Sequence, residues 1–170
     1  MLAQAKALNP GCTCVHGDMR TFRLRSSFDA VLMDDAIAHM NCRTDLVAAL
    51  RAAYAHLNLG GVLVVTPDET IEAFQQNETT TTPATRGGVD VVFIENVYDP
   101  DPTDEQYETT IVYLIRDHGL LRIETEHWTM GIFSLDTWRH VLRDTGFQVH
   151  QGRYSPGDDE YTVFACVKPR

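Results

Sequence analysis

The chain has 170 residues, 44% of them hydrophobic and 22% charged, which is enough for one domain with a sizeable core. Fourteen Lys and Arg against twenty-four Asp and Glu leave a net charge of -10, a balance that argues against a nucleic-acid backbone or an anionic membrane as the main partner. No apolar run approaches twenty residues and no basic-then-apolar leader opens the sequence, so a cytoplasmic protein is expected, neither secreted nor membrane-spanning.

Residues 1–8 are rich in Ala, Leu, Gln and Lys and predict a helix, stopped by Asn9-Pro10-Gly11. Residues 13–16 read as a first strand and 28–33 as a second, joined by a mixed loop. A helix is predicted over 45–57 with Thr44 as its N-cap. In it Leu46, Ala49, Leu50, Ala53 and Leu57 recur at helical spacing and should face a sheet. Gly60-Gly61 reads as a turn requiring positive φ, and 62–65 as a strand of fully buried character. Residues 71–76 suit a short helix, and 77–88 form a polar, threonine-rich stretch expected to be weakly structured.

Three strand-like runs follow at 89–98, 107–116 and 120–128. Asp99-Pro100-Asp101-Pro102 and Asp117-His118-Gly119 between them are turn signals that suit an antiparallel meander. Ser134 should cap a helix over 135–144, ended by Gly146. Two closing strands, 147–154 and 161–167, flank a polar turn at 155–160. Cys12, Cys14, Cys42 and Cys166 do not have the spacing of a disulfide framework. A Cys-x-Cys-x-His cluster with His16 finds no fourth ligand nearby, so free thiols are expected and no metal.

The first half therefore reads as strand, acidic turn, strand, acidic turn, helix, glycine turn and strand. That order describes part of an open α/β sheet, in which ligands bind beyond the carboxyl ends of the strands. Asp18 and Asp34 stand at two such ends.

The phrases Gly17-Asp18-Met19-Arg20, Phe28-Asp29-Ala30-Val31 and Leu57-Asn58-Leu59-Gly60-Gly61-Val62-Leu63 resemble the middle of a class I S-adenosylmethionine-dependent methyltransferase. The opening Met1-Leu2-Ala3-Gln4-Ala5-Lys6 and the closing helix and strand pair are similar to that family as well. The segment from about 89 to 133, with Glu126-His127 leading into Ile132-Phe133-Ser134, resembles the antiparallel insertion of the nucleotide-linked aminosugar N,N-dimethyltransferases. Leu59 stands where the family usually has Pro. No Gly-x-Gly occurs in the chain, whereas the family's glycine-rich loop and ribose-binding acid precede the helix with which this sequence opens.

The resemblance implies an α/β fold with a Rossmann-like, N-terminally truncated sheet and an antiparallel β insertion. It implies one domain over 1–170, with a partial cofactor part at 1–67, a substrate-side insertion at 86–133 and a C-terminal helix and strand pair at 134–170. The implied activity is methyl transfer from S-adenosylmethionine to a small molecule, first of all the amine of a nucleotide-linked sugar. Asp18 would accept from the adenine amino group, a task suited to an acceptor-only carboxylate. The Met19 N–H would meet a ring nitrogen, and Asp34 would lie by the methionine end.

Methyl transfer needs alignment and removal of a proton, not a protein nucleophile. His39 and His127 are the candidates for that proton. His39 reads equally as a helix-start residue facing solvent, and His127 as a polar cross-strand partner. Tyr98, Tyr107, Tyr113 and Trp128 are candidates to line a pocket or simply to pack the sheet. Arg116 and Arg122 would meet a phosphate or solvent. The alternative functions are a non-catalytic remnant acting as a binding or oligomerisation module, and a small-ligand carrier. Strand 28–33 is expected to present a flat apolar edge, and pairing of two copies through it would make a homo-oligomer.

Overall fold

The computed structural model describes residues 2–155, 157 and 160–170. Met1, Pro156, Asp158 and Asp159 lie outside the described residues, and with them the start of the first expected helix and much of the 155–160 turn. Two four-stranded sheets organise the chain. The first runs β1 (Phe28–Asp34), β2 (Leu57–Thr66), β8 (Tyr161–Val167) and β7 (Gln148–Tyr154). Its β1 and β2 are parallel, and β8 is antiparallel to both of its neighbours. The second is an antiparallel meander of β3 (Thr79–Arg86), β4 (Val89–Tyr98), β5 (Gln106–Asp117) and β6 (Leu120–Gly131).

Helix α2 (Arg43–Ala55) buries the stripe that its spacing predicts except for Leu57, because the helix ends at Ala55 and Leu57, buried too, opens β2. Leu46, Ala49, Leu50 and Ala53 are fully enclosed, as are Leu63 and Val65 of β2 and Phe164 and Cys166 of β8. These residues share one core with Trp138, Val141 and Leu142 of α3 (Leu135–Thr145). The N-cap of α2 is Cys42, not Thr44, and it makes no side-chain cap bond. Its carbonyl accepts from Leu46 N at 3.0 Å; the helix starts earlier because Arg43 and Thr44 already take helical dihedrals beside Asp45, whose charge suits a helix start. In α3 the expected cap is present: Ser134 Oγ accepts from Thr137 N at 3.1 Å and Gly146 takes φ 109° at the other end.

Three further expectations are corrected. Residues 13–16 form no strand, because no neighbouring strand lies alongside to complete a ladder, and backbone groups that find no protein partner stay with water. The stretch 71–76 is a turn, not a helix; it is tied down by a parallel bridge between Thr70 and Phe133. The threonine-rich 77–88 region contributes β3, which pairs with β4 from Thr79↔Asn96 to Arg86↔Val89. Its polarity marks an exposed edge strand, and β-branched threonine favours the pleated backbone.

Of the two glycines after Leu59, only Gly60 takes positive φ, at 80°. Gly61 is required for closeness, since a Cβ there would stand 2.9 Å from the Asn58 carbonyl oxygen. This irregularity lets Lys168 N donate to Gly61 O at 2.9 Å. The Lys168 ammonium then donates to Tyr54 O and Leu57 O, at 2.9 and 2.8 Å, closing the end of α2.

The face of the first sheet opposite α2 and α3 is apolar and open. Alternation places Ala30 and Leu32, Val62 and Val64, and Val163 and Ala165 on it. Leu32 is 69% exposed, and α1 (Leu2–Leu8) buries none of its residues. Among the described residues strand β1 has one partner, β2, and its other edge is unpaired, with Phe28 41% exposed.

Candidate active site

The carboxyl ends of the two parallel strands deliver acids to one place. Strand β1 ends in Asp34, β2 ends in Thr66-Pro67-Asp68, and both open into a cavity of about 660 Å³. Leu32, Val64 and Val163 supply its apolar wall, and Asp34, Asp35 and Asp68 its acidic one. Asp35 takes φ 54° and ψ -64°, close to a γ-turn, a strained conformation for a residue with a Cβ. That turn directs the chain into the 3₁₀ segment Ala36–His39.

The second sheet reaches one of these acids. The Tyr107 hydroxyl, on a side chain with no exposed surface, donates to Asp68 Oδ2 at 2.7 Å. Its ring meets Phe74 edge-on at 5.5 Å. Asp68 is exposed as a residue, yet loss of water at its carboxylate raises its pKa, opposed by the Tyr107 bond and reinforced by Asp35 and Asp34. Glu69 is pushed up to about 7, first by burial and then by Asp68, Glu78 and Glu95. Glu95 of β4 is raised by burial and by Asp68 and Asp35. Burial also raises the Tyr107 hydroxyl, so it stays a donor at any working pH.

A pH-dependent stability follows from Glu69. Between its ordinary value of 4.5 and about 7 the native state holds a proton that the unfolded state has released. Stability therefore falls as pH rises through that window and levels off above it. Glu69→Gln, which cannot ionise, is expected to melt higher than the parent at pH 8, by about 1–2 kcal/mol after allowance for solvent reaching the carboxylate. The difference should shrink to nothing near pH 4.5. Parallel thermal melts at the two pH values check this, and an equal gain at both would refute it.

Asp18 and Met19 are not among the residues that line this cavity. Asp18 carries Arg20 on both oxygens: Arg20 N and Nε reach Oδ1 at 2.9 and 3.0 Å, and Nη2 reaches Oδ2 at 2.6 Å. The Arg20 hydrogen bonds hold the Asp18 carboxyl down at about 2. Arg20 is anchored in turn on Asp45 at 2.6 Å. The Asp18 side chain is still 42% exposed, and Met19 packs half-buried against the main core.

The two histidines are not brought together. His39 ends the 3₁₀ segment and meets the Trp128 ring edge-on at 5.4 Å. Neighbouring residues of a strand point to opposite faces, so His127 lies on the other side of the meander. There its Nδ1 is 3.0 Å from Thr110 Oγ1, and its Nε2 is 3.9 Å from the Glu108 carboxylate. Of the remaining aromatics, Tyr113 packs on Phe93 at 5.5 Å and Tyr98 is 44% exposed. Arg122 pairs with Glu124 at 3.5 Å in solvent.

Asp68, Glu69 and Glu95 were not singled out in the sequence. For Asp68 the signal was present: it follows a strand as Asp34 does, and the same rule about carboxyl ends applies to it. For Glu95 there was none, since its approach depends on how the meander packs. No group of three or more His, Cys, Asp or Glu among the described residues has the geometry to hold a metal ion.

Residues 1–65 match the family described as "Methyltransferase domain". The chain is 29% identical over 160 residues to a dTDP-3-amino-3,6-dideoxy-alpha-D-glucopyranose N,N-dimethyltransferase of Streptomyces fradiae, covering 92% of this chain and 60% of that protein. It thus spans 60% of the length of this curated relative. Among solved structures it superposes on DesVI of Streptomyces venezuelae with a TM-score of 0.87 at 24% identity, over 99% of this chain and 70% of that one. It also superposes on S-adenosylmethionine-bound CalS10, an amino pentose methyltransferase from Micromonospora echinaspora, with a TM-score of 0.80 at 23% identity, over 98% and 69%. The fold is that of the class I methyltransferases, a Rossmann-like α/β sheet joined to an antiparallel one.

Proposed function

We propose that the chain serves S-adenosylmethionine-dependent methyl transfer to a small-molecule amine, that of a nucleotide-linked aminosugar first. The observation that carries the reading is the cavity at the carboxyl ends of β1 and β2, acidic on one wall, with one of its acids, Asp68, hydrogen-bonded by Tyr107 of the meander. The similarity to sugar N-methyltransferases supports it. The division of labour follows the sheets, with 1–67 on the cofactor side, 86–133 on the acceptor side and 134–170 completing the first sheet. Four unpaired cysteines favour a reducing compartment, the cytoplasm. No helix among the described residues is long and apolar enough to cross a membrane.

The residues present fit part of the cofactor. Asp18, its side chain 42% exposed, would meet the adenine amino group, with the Met19 N–H next in the chain, and Asp34 stands at the strand end where the methionine part would lie. Bound there, S-adenosylmethionine supplies a methyl group made electrophilic by its sulfonium. The protein's own work is to align the amine and accept a proton. His39, at the end of the turn that leaves β1, is the acceptor we assign. His127, on the outer face, has no part in this reading.

Calorimetric titration with S-adenosylhomocysteine, followed by transfer of labelled methyl from S-adenosylmethionine to dTDP-3-amino-3,6-dideoxy-α-D-glucopyranose, tests the proposal. Micromolar binding and label in the sugar are expected. No binding at millimolar ligand together with no transfer would favour a binding or oligomerisation module. The open β1 edge supports a homodimer in either case, and a monomer by light scattering at high concentration would count against that dimer.

A further inference from the structure

The acid in the cavity with a defined orientation is Asp68. Its Oδ2 is fixed by Tyr107, whose hydroxyl has been brought from the second sheet to the end of a strand of the first. Among the described residues no donor is hydrogen-bonded to Oδ1, and Asp68 lines the cavity. A carboxylate held this way is a one-sided acceptor: Oδ2 is satisfied by a neutral donor, and Oδ1 keeps its acceptor capacity on a residue that lines the cavity. The groups that face it are Asp34 and Asp35 from the end of β1, His39, Glu69 on its own loop, Glu95 from β4 and Tyr107 from β5. Apart from His39, each of these is an acid or a neutral donor. Arg153, on the far wall, is ion-paired with Glu160. The field at Oδ1 is therefore negative, and a cationic donor suits it far better than a neutral hydroxyl.

We propose that Asp68, oriented by Tyr107, is the residue that selects an amine acceptor over its hydroxyl counterpart, by taking the acceptor's ammonium on Oδ1 before the proton is passed on. This deepens the reading above and rests on it for the nature of the acceptor. Tyr107 acts as a positioning residue: it bonds Asp68 and does not reach the acceptor itself. A site whose charged group is left without its partner rejects the wrong ligand strongly, so discrimination should be visible in binding alone, without cofactor.

The test is binding of dTDP-3-amino-3,6-dideoxy-α-D-glucopyranose and of the same sugar nucleotide with a 3-hydroxyl, measured by calorimetry without S-adenosylmethionine. The parent is expected to hold the amine about 10- to 100-fold more tightly than the hydroxyl compound. Asp68→Asn, which still accepts from Tyr107, should lose that preference while binding the hydroxyl compound as before. Tyr107→Phe keeps the ring against Phe74 but removes the donor that favours the charged carboxylate. Its amine affinity should need a higher pH to develop, with circular dichroism unchanged. Equal affinities for the two sugars in the parent, an unaltered preference in Asp68→Asn, or superimposable pH curves for Tyr107→Phe would each overturn the assignment. Failure of methyl transfer or of S-adenosylhomocysteine binding, with amine selectivity intact, would instead touch only the proposed reaction.

Discussion

Alanine in place of Gly131 is expected to cost about 3 kcal/mol or more, at the top of the range for forcing atoms into a packed site. Gly131 ends β6, opposite Gln106, where the meander is handed over to the Ser134-capped helix. A methyl group there would sit inside the van der Waals envelope of the Met40 carbonyl and 2.9 Å from the Phe133 ring. Neither neighbour gives way easily. Met40 is backbone at the end of the 3₁₀ segment, and Phe133 is buried with its ring edge-on to Trp138. The next residue, Ile132, donates to Glu105 O at 2.9 Å, which fixes the strand from the other side. At this chain length the loss corresponds to a melting temperature roughly 6–12 °C lower. A fall under 2 °C in a thermal melt would show that the junction relaxes freely. Because the 3₁₀ segment carries His39, the proposed methyl transfer should fall with it.

The second large effect is expected at Phe164. It has no exposed surface, stacks on Trp138 at 6.0 Å and lies in β8, between β2 and β7. Phe164→Ala removes most of a ring from the centre of the main core, and about 3–5 kcal/mol should go with it. Urea denaturation is the measurement, with the midpoint shifting and the slope unchanged. A loss below 1 kcal/mol would mean that Trp138 collapses into the space. Val163, next in the strand, faces the opposite side and lines the cavity, so a shift of β8 would also be felt by a bound ligand.

The legible parts of this fold are those that follow from short-range pattern. The stripe of Leu46, Ala49, Leu50 and Ala53 placed α2 against a sheet, and Ser134 with Gly146 bounded α3 at both ends. The turn pairs Asp99-Pro100 and His118-Gly119 placed three meander strands, the last of which runs three residues past the expected 128 to Gly131. What failed depended on neighbours distant in sequence. Residues 13–16 have strand character but nothing beside them to pair with, whereas the threonines of 79–82 have weak apolar character but find β4 alongside. Cys42 is a poor cap by side chain, and α2 starts there without one. In the site, Asp34 was legible because it ends an apolar run. Asp68 follows a strand in the same way, with Pro67 between, but its partner Tyr107 lies 39 positions further on. Which face of the meander His127 takes could not be read without strand parity relative to the first sheet, and the contact of Trp128 with His39 fixes it.

The clasp of Lys168 on the end of α2 has a kinetic side. Its ammonium binds a carbonyl 114 positions earlier in the chain, and β2, in the middle of its sheet, has β8 as one of its two partners. A strand emerging early in synthesis must therefore wait for one made much later before its second row of hydrogen bonds can form. Contacts of such long sequence separation slow folding, and until β8 arrives the apolar strand Val62-Leu63-Val64-Val65 has an open flank. For this protein the hazardous interval is the time between translation of the two strands, when a chaperone or a neighbouring nascent chain competes for the same edge.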